Sequence, residues 1–338
     1  MVTLCLPLNR IEALFNQLGF PISKQTMSNW VMKTSENYLE ALVEKMKEKL
    51  LKEKIIQADE TTVNVNKDGR NPGSKSYMWL YRNSELDLDK QIIIFDYQKT
   101  RNSLHPTNFL EKYEGYLLTD GYPGYDTLAS KNKKIIQAGC WAHARRYFAE
   151  VVKALKDNNE KLSIAKEAVE KINKIFKNET DIKKAEIKER LSLRKEKQQK
   201  LVDEYFDWLK KHLTEVLPKS SLGKAIKYSL KQEKKLRMFL TDPMLVMDNN
   251  ASERGIRAFV VGRKNWLFSD TIKGAKTSAI IYSIVETAKA NGLIPKEYIE
   301  YVLMQLSEAE ELDNQVLEKV LPWSKELPKN LREKQKYL

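Results

Sequence analysis

The stretch IIQADETTVNV at residues 55–65 decides the fold class, since it is rich in β-branched residues although an acid stands in its middle. SYMWLYR at residues 76–82 and QIIIFDY at residues 91–97 are also rich in β-branched and aromatic residues, and the three stretches predict a meander of strands. GYLLTD at residues 115–120 and KKIIQAGC at residues 133–140 read as buried strands, each followed by a helix. This order predicts a mixed α/β fold with a five-stranded sheet flanked by helices.

Helical patterns lie on both sides of the predicted strands. Two helices around Gly19 and Pro21 form a helix-turn-helix-like pair, with Ser23 as the N-cap of the second helix. A later stretch almost free of Gly and Pro predicts an all-helical insertion, in which the highly charged residues 183–200 favour an exposed helix or a coiled-coil arm. The predicted organisation is an N-terminal helical segment at 1–52, an α/β core at 53–155 completed at 241–292, the insertion at 156–240, and a C-terminal helical segment and tail at 293–338.

The composition excludes several classes of protein. Of the 338 residues 42% are apolar and 31% charged, so the chain can bury a sizeable core. No run approaches the roughly 18 apolar residues that a membrane span needs, and the N-terminus does not resemble a secretory signal. Cys5 and Cys140 are too few for a disulfide scaffold, and His105, His143 and His212 are too scattered for a three-histidine zinc site. These features predict a soluble protein of a reducing compartment, the cytoplasm.

The formal net charge of the chain is +13, and most of the excess lies in one part of it. Residues 151–240 contain 24 basic and 14 acidic residues, a surplus of ten. A localised basic surface favours a polyanionic partner, most often nucleic acid. A lysine-rich composition on a solvated face explains the same numbers equally well, so charge alone leaves both interpretations open.

Three carboxylates stand out by their place in this pattern. Asp59 lies inside the first predicted strand, Asp120 closes the fourth, and Glu253 lies near the start of a predicted helix in NNASERGIRAF. A carboxylate in an apolar strand is costly unless it is paired or bound to a cation. Each acid alone is best explained as a satisfied polar residue, whereas together they suit Mg²⁺, which prefers oxygen ligands. Two such ions about 3.5–4 Å apart can promote cleavage of a phosphodiester.

The order of these strands and acids resembles the ribonuclease-H-like fold of the Asp-Asp-Glu transposases and integrases. From about residue 6 to residue 323, the chain also resembles the transposase family of insertion sequence 66. The strings that carry this resemblance are, in order, ADETTVNV, YLLTDGYPGYD, GCWAHARRYF, DNNASERGIRAFVVGRKNWLF, ETAKANGLIPKEYI and LPW. The resemblance implies a DNA transposase that cleaves strands at the ends of its element and joins the 3′-hydroxyl to target DNA in a metal-dependent reaction.

The resemblance also implies roles for particular residues. Asp59, Asp120 and Glu253 match the catalytic acids, which would be the ligands of Mg²⁺ or Mn²⁺. In this family an all-helical domain interrupts the catalytic fold between the second and third acids. The all-helical insertion predicted above for this chain lies at the same place. Cys140 and His143 match a Cys-x-x-His element that follows the second acid in several transposase groups. Because the chain offers no second ligand pair for zinc, we expect these two residues to pack beside the site.

The basic residues near these acids permit two interpretations each. Arg257 lies one helical turn beyond Glu253, so it could form an intrahelical ion pair or contact a DNA phosphate. The basic pair beside Trp266 could hold the DNA backbone while the ring stacks on a base, or it could simply flank a buried tryptophan. Arg145 and Arg146, which follow His143, could likewise hold the DNA backbone or simply lie at the protein surface. The candidate DNA-binding residues are Arg145, Arg146, Arg254, Arg257, Arg263, Lys264 and Trp266.

One departure from the family concerns the N-terminus. Members usually carry a longer N-terminal region with a cysteine-rich, zinc-binding segment before an LPL motif, which here begins at Leu6. We therefore expect that region, and its part in recognising element ends, to be absent. An active transposase is the leading hypothesis, because all three acids are present. The alternatives are a truncated, non-mobile DNA-binding remnant and a ribonuclease-H-like nuclease.

The transposase hypothesis carries expectations about partners and location. Double-stranded DNA would be the substrate, both as transposon ends and as target. At least two copies of the chain would act together on that DNA, with accessory proteins of the same element as further partners. No membrane partner is expected, and the protein would be cytoplasmic and associated with the nucleoid.

Overall fold

The computed structural model describes residues 6–71, 73–155 and 160–332. Their strands and helices confirm the predicted mixed α/β class, and the architecture is consistent with a ribonuclease-H-like fold. They divide into two compact units: unit 1 holds the residues up to 114 and from 251 onward, and unit 2 holds residues 115–250. None of the described helices is long and apolar enough to cross a membrane.

Six strands and fifteen α-helices occur in the described residues. The strands are β1 (Ile55–Lys67), β2 (Lys75–Asn83), β3 (Ile93–Gln98), β4 (Gly115–Thr119), β5 (Ile135–Gly139) and β6 (Ser269–Thr271). The helices are α1 (Leu8–Gln17), α2 (Lys24–Thr34), α3 (Glu40–Leu50), α4 (Leu104–Phe109), α5 (Pro123–Lys131), α6 (Trp141–Ala154), α7 (Glu160–Ile182), α8 (Ile187–Leu193), α9 (Gln199–His212), α10 (Ser221–Lys231), α11 (Glu233–Leu236), α12 (Asn250–Trp266), α13 (Ile272–Ala290), α14 (Pro295–Glu308) and α15 (Asn314–Val320).

The sheet of unit 1 is built on β1. β2 pairs with β1 and β3 pairs with β2, both antiparallel, whereas β6 runs parallel to β1. Residues opposite each other in an antiparallel pair point to the same face, so Asp59 shares a face with Leu80, its partner on β2. Val63 and Val65 point to this face as well, because side chains alternate along a strand. Asp59 therefore stands in a row of side chains that continues into the buried, apolar Val63 and Val65.

Helices α12 and α13 contribute the other half of the apolar core on this face. Burying a Val, Leu, Ile or Phe side chain fully stabilises a fold by about 1.5–3 kcal/mol. Apolar packing, more than intrinsic helix propensity, therefore holds α12 against the strands. The buried residues of this core include Val63, Val65, Leu80 and Phe95 from the strands and Ile256, Phe259, Ala279 and Tyr282 from the helices.

Close packing between α12 and α13 depends on Gly262. A methyl group at this position would overlap the hydroxyl of Tyr282 and would also lie 3.1 Å from Nε1 of Trp266. We expect Gly262→Ala to lower the free energy of unfolding by about 1–3 kcal/mol, as overpacking of a filled core does. Tyr282→Phe removes the obstructing oxygen, so the double variant should regain most of that loss in urea unfolding. A double variant no more stable than Gly262→Ala would contradict this packing.

All five strands predicted from the sequence are present, and β6 corrects the predicted number to six. Its three residues pair with β1 through Ser269 opposite Val65 and Thr271 opposite Lys67. A segment this short shows no alternation of apolar and polar residues that could reveal a strand. Its formation depends on β1, which lies far away in the sequence.

Unit 2 combines a parallel pair of strands with helices. In the pair of β4 and β5, Thr119 stands opposite Gly139, so the residues that follow the two strands lie at the same edge. Helices α7 to α11 occupy the described part of the predicted insertion.

Most of the charged stretch at residues 183–200 is exposed, as its composition predicts, but one of its cations is not. Arg194 is fully buried in it, and Glu179 on α7 is also buried. The Nε atom of Arg194 donates to both carboxylate oxygens of Glu179, at 3.1 and 3.2 Å. Its Nη atoms donate to three main-chain carbonyl oxygens in the segment that follows α11. The composition does not reveal this buried arginine, because its burial depends on partners distant in the sequence.

Candidate functional site

Asp59 stands where β1 passes from the interior toward solvent. The four residues before it, 55–58, are buried, whereas Asp59 is half-buried. Its Oδ1 accepts the main-chain N–H of Glu60 at 2.9 Å. Because burial of a carboxylate is costly without compensating contacts, an acid at this depth is a candidate for a site rather than for ordinary surface.

The first turns of α12 contact β2, the strand that pairs with this part of β1. Nη1 of Arg82 on β2 donates to the carbonyl oxygen of the second residue of α12 at 3.2 Å. A Cβ atom at Gly255 would lie 3.0 Å from Cδ1 of Leu80, the cross-strand partner of Asp59. Glu253, which is half-buried, stands between these two contact points in the first turn of the helix. The first turns of α12, which bear Glu253, therefore pack on the residue of β2 that stands opposite Asp59, and a shared site for the two acids stays a prediction.

The C-terminal part of α12 is fixed by Arg263 and Trp266. Nη1 of Arg263 donates to the carbonyl oxygen of Thr62 on β1 and lies 3.3 Å from the hydroxyl of Thr61. The ring of Trp266 is half-buried and packs edge-on against Phe259, with 5.3 Å between the ring centroids. Both side chains therefore have contacts that hold the helix in place, and a role for either at DNA stays a prediction.

The other basic residues of α12 differ in their contacts. Arg254 is exposed, and its Nη2 forms an ion pair with Glu85 at 2.6 Å. Arg257 and Lys264 are exposed, and neither forms a hydrogen bond or an ion pair with another residue that the structure describes. Because seven residues make almost two helical turns, Arg257 and Lys264 project from the same side of α12. Both cations are available to a polyanionic partner.

Asp120 directly follows β4 in unit 2, where local contacts fix its position. Its Oδ1 accepts the main-chain N–H of Tyr122 at 3.0 Å, which forms a turn leading into α5. Gly121 allows the ring of Tyr228 to approach, since a Cβ atom there would lie 2.6 Å from Cε2 of that ring. Burial raises the pKa of the Tyr228 hydroxyl, and the proximity of Cys140 and Asp120 adds to this shift. The second predicted acid is therefore half-buried and held by its own turn.

Cys140 directly follows β5, as Asp120 directly follows β4. Its thiol is buried, and Sγ accepts the main-chain N–H of Asn249 at 3.2 Å. Trp141 is fully buried, and its Nε1 donates to a main-chain carbonyl oxygen of α11 at 2.8 Å. His143 follows in the first turn of α6, with Nε2 3.2 Å from Nη1 of Arg146. The contacts of Cys140 agree with a packing role, which for Cys140 and His143 stays a prediction.

Arg145 and Arg146 lie side by side on α6. Nε of Arg145 donates to Oδ1 of Asn173 on α7 at 2.7 Å, so this arginine joins two helices of unit 2. The side chain of Arg146 is exposed. These contacts are compatible both with a structural role and with binding to DNA. Arg145 and Arg146 therefore stay predicted DNA contacts.

Nearly the whole chain matches one family of proteins. Residues 2–277 match the family described as "Transposase IS66 family", and residues 283–323 match the family described as "IS66 C-terminal element". The chain belongs to the IS66 transposase family. The resemblance based on the ordered strings is thereby confirmed.

This IS66-family chain is shorter than the curated relatives that it matches. It is 27% identical over 329 residues to "Uncharacterized protein y4qI" of Sinorhizobium fredii (strain NBRC 101917 / NGR234), and 28% identical over 332 residues to "Uncharacterized protein y4hP" of the same strain. Each match covers 94% of this chain and 59% of the relative. Membership in the IS66 family supports a transposase, a class of enzyme that acts on DNA and generally uses a divalent metal.

Arg82 is a residue of this IS66-family chain that the sequence interpretation missed. Its side chain is buried, and its guanidinium donates to α12, to the side chain of Gln91 and to the carbonyl oxygen of Asn83. Burial lowers the pKa of Arg82 to about 10, so the side chain remains cationic at neutral pH. In the sequence, Arg82 is a charged residue near the end of an apolar strand, just as Asp59 is a charged residue within one. This signal could have identified Arg82 as a residue that positions α12.

Proposed function

We propose that this chain is a DNA transposase that cleaves strands at the ends of its element and transfers the resulting 3′-hydroxyl into target DNA. The observation that carries the proposal is the contact of the first turns of α12, which bear Glu253, with Leu80, the cross-strand partner of Asp59, in a chain that belongs to a transposase family. Asp120 would supply the third carboxylate. A DNA-binding remnant and a ribonuclease-H-like nuclease are the alternatives that the test must exclude.

The chemistry of the donor set suits a hard divalent cation. Asp59, Asp120 and Glu253 offer carboxylate oxygens and are each half-buried, which favours Mg²⁺ or Mn²⁺ over softer metals. A divalent cation held by these acids would activate the attacking hydroxyl and stabilise the leaving oxygen of the phosphodiester. The general use of a divalent metal by the family agrees with this assignment.

The residues around the acids would position the helix and the DNA. Arg82 attaches the N-terminal part of α12 to β2 and Arg263 attaches its C-terminal part to β1, which would hold Glu253 in position. Arg257 and Lys264 would bind phosphates along the exposed side of α12, which sets the register of the DNA without reading its sequence. Positioning is the main contribution left to the protein, because holding reactants in the correct geometry removes a large part of the barrier.

We expect Arg257→Ala and Lys264→Ala each to weaken DNA binding and to make it less dependent on salt. Each lost phosphate contact reduces the slope of log affinity against log salt by about 0.9, because fewer counterions are released. Fluorescence anisotropy of a labelled duplex over a range of KCl concentrations measures both quantities. Lys289→Ala, which removes a lysine of α13 paired with Glu286, is the control and should leave the slope unchanged. Unchanged slopes in both α12 variants would contradict the assigned phosphate contacts.

The test of the proposed function is incubation of the wild-type chain with labelled duplexes of the element's ends and Mg²⁺ or Mn²⁺. We expect cleavage at the ends that leaves a 3′-hydroxyl and that stops when EDTA removes the metal. Specific binding without cleavage would identify a remnant. Cleavage of any duplex, without preference for the ends, would identify a nuclease.

Transposition brings two ends of an element to one target. The proposal therefore implies at least two copies of the chain on DNA, together with any accessory proteins of the same element. Sedimentation of the chain with and without an end duplex measures the number of copies. In cells, a chain bound to chromosomal DNA would be recovered with the nucleoid.

A further inference from the structure

Two adjacent apolar side chains project into solvent directly after α12. Leu267 is 62% exposed and Phe268 is 47% exposed. Leu267 also has φ of +64°, a left-handed conformation that a leucine rarely adopts and that Gly or Asn adopts easily. This conformation costs about 1–2 kcal/mol relative to a right-handed one. The chain therefore keeps an exposed leucine at a position where neither solvation nor backbone conformation favours it.

The main chain at Leu267 and Phe268 is held on both sides. The N–H of Leu267 donates to the carbonyl oxygen of Arg263 at 2.7 Å, and the N–H of Phe268 donates to that of Trp266 at 2.8 Å. Arg263 is itself attached to β1, and the next three residues form β6 on the same strand. An apolar pair fixed in this way can enter another molecule without first losing much conformational freedom.

The charge of α12 indicates what this pair would meet. The helix contains four basic residues and one acid. Arg257 and Lys264 lie on its exposed side and have no partner among the described residues. An exposed apolar pair next to unpaired cations suits DNA, where apolar side chains enter between base steps while cations hold the phosphates. An apolar surface for a second protein would not require these cations.

We infer that Leu267 and Phe268 form a wedge that inserts between stacked base pairs of DNA bound along α12. The inference rests on the proposed function, since it requires that the chain bind DNA with Glu253 near the cleaved phosphate. Leu267 lies fourteen residues after Glu253, which corresponds to about 21 Å along a helix. Bases along one strand are about 3.4 Å apart, so the wedge unstacks the duplex about six base pairs from the cleavage position.

The experiment uses duplexes of the element's end that carry a single 2-aminopurine at successive positions, without divalent metal so that no strand is cut. The fluorescence of this base rises when it is unstacked, and anisotropy of an end label measures binding in the same samples. The variant is Leu267→Asn with Phe268→Ser, because Asn tolerates the left-handed conformation and any loss then reflects the missing apolar surface. Leu88→Ser is the matched control, since Leu88 is 94% exposed in the loop between β2 and β3.

The wild-type chain should raise the fluorescence at one step, about six base pairs from the cleavage position. The double variant should lose this rise and bind about tenfold more weakly, whereas Leu88→Ser keeps both properties. Binding by the wild type without a rise at any position would overturn the wedge while leaving the proposed function intact. A variant that binds DNA normally but no longer self-associates in sedimentation would assign the pair to a protein interface and overturn it as well. Failure of the wild type to bind DNA would overturn both proposals.

Discussion

Glu253→Gln should abolish metal-dependent DNA cleavage while leaving the fold unchanged. The amide has the shape of the carboxylate but lacks its charge, so a divalent cation loses one of its anionic ligands. Variants of residues that merely support metal ligands lose about 10- to 100-fold in activity, so loss of the ligand itself should cost at least about 100-fold. Asp59→Asn should have a similar effect, because the proposed site needs both carboxylates as ligands of the cation.

Glu297→Gln is the matched control for this prediction. Glu297 is an exposed acid in the first turn of α14, so its loss removes the same favourable interaction with a helix N-terminus, about 0.3–1 kcal/mol. Cleavage by this variant should equal that of the wild type, and thermal unfolding of both variants should occur near the wild-type temperature. Full cleavage by Glu253→Gln would remove this residue from the site. If Glu253→Gln loses its fold as well as its cleavage activity, instability explains the loss of cleavage instead.

Arg194→Met should produce the largest loss of stability among single substitutions in unit 2. It leaves the buried carboxylate of Glu179 without its cation, and loss of one partner from a buried ion pair costs about 3–5 kcal/mol. It also removes the donors to three carbonyl oxygens, those of Phe239, Asp242 and Leu245. Urea unfolding followed by circular dichroism measures the change in the free energy of unfolding.

Two further variants separate the buried charge from general effects of the substitution. Arg194→Met with Glu179→Gln removes both charges and should recover part of the loss, because no unpaired carboxylate remains. Lys188→Met removes an exposed cation that pairs with Glu186 at 2.7 Å, and should cost less than about 1 kcal/mol. An Arg194→Met chain as stable as the Lys188→Met chain would show that the buried pair contributes nothing to stability.

The strands could be predicted from the sequence because their signal is local. β1, β2 and β3 are rich in β-branched and aromatic residues, and the acid at Asp59 stands out against such neighbours. β6 could not be predicted, because three residues have no period and their pairing partner lies about two hundred positions earlier. Burial of Arg194 could not be predicted either, since a charged stretch looks exposed unless its distant partners are known.

The sequence selects the candidate acids more readily than it separates the roles of the cations, and the part of the acids in catalysis stays a prediction. Asp59, Asp120 and Glu253 could be selected because strand and helix boundaries carry local signals, and the family strings place all three. Arg263 and Lys264 look alike in sequence, but the structure attaches Arg263 to β1 and leaves Lys264 exposed. Only the tertiary fold distinguishes an arginine that fixes a helix from a lysine that is available to DNA.

Joining of a cut end to target DNA tests the central claim most directly. A duplex of the element's end that already carries a free 3′-hydroxyl is incubated with the chain, a supercoiled plasmid and Mg²⁺, and the junctions are sequenced. We expect the wild-type chain to join the 3′-hydroxyl covalently to the plasmid, with no protein attached to the DNA, and Glu253→Gln to yield no junctions. Ends that the wild type binds and cuts but never joins would contradict the account, and a covalent link between protein and DNA would do so equally.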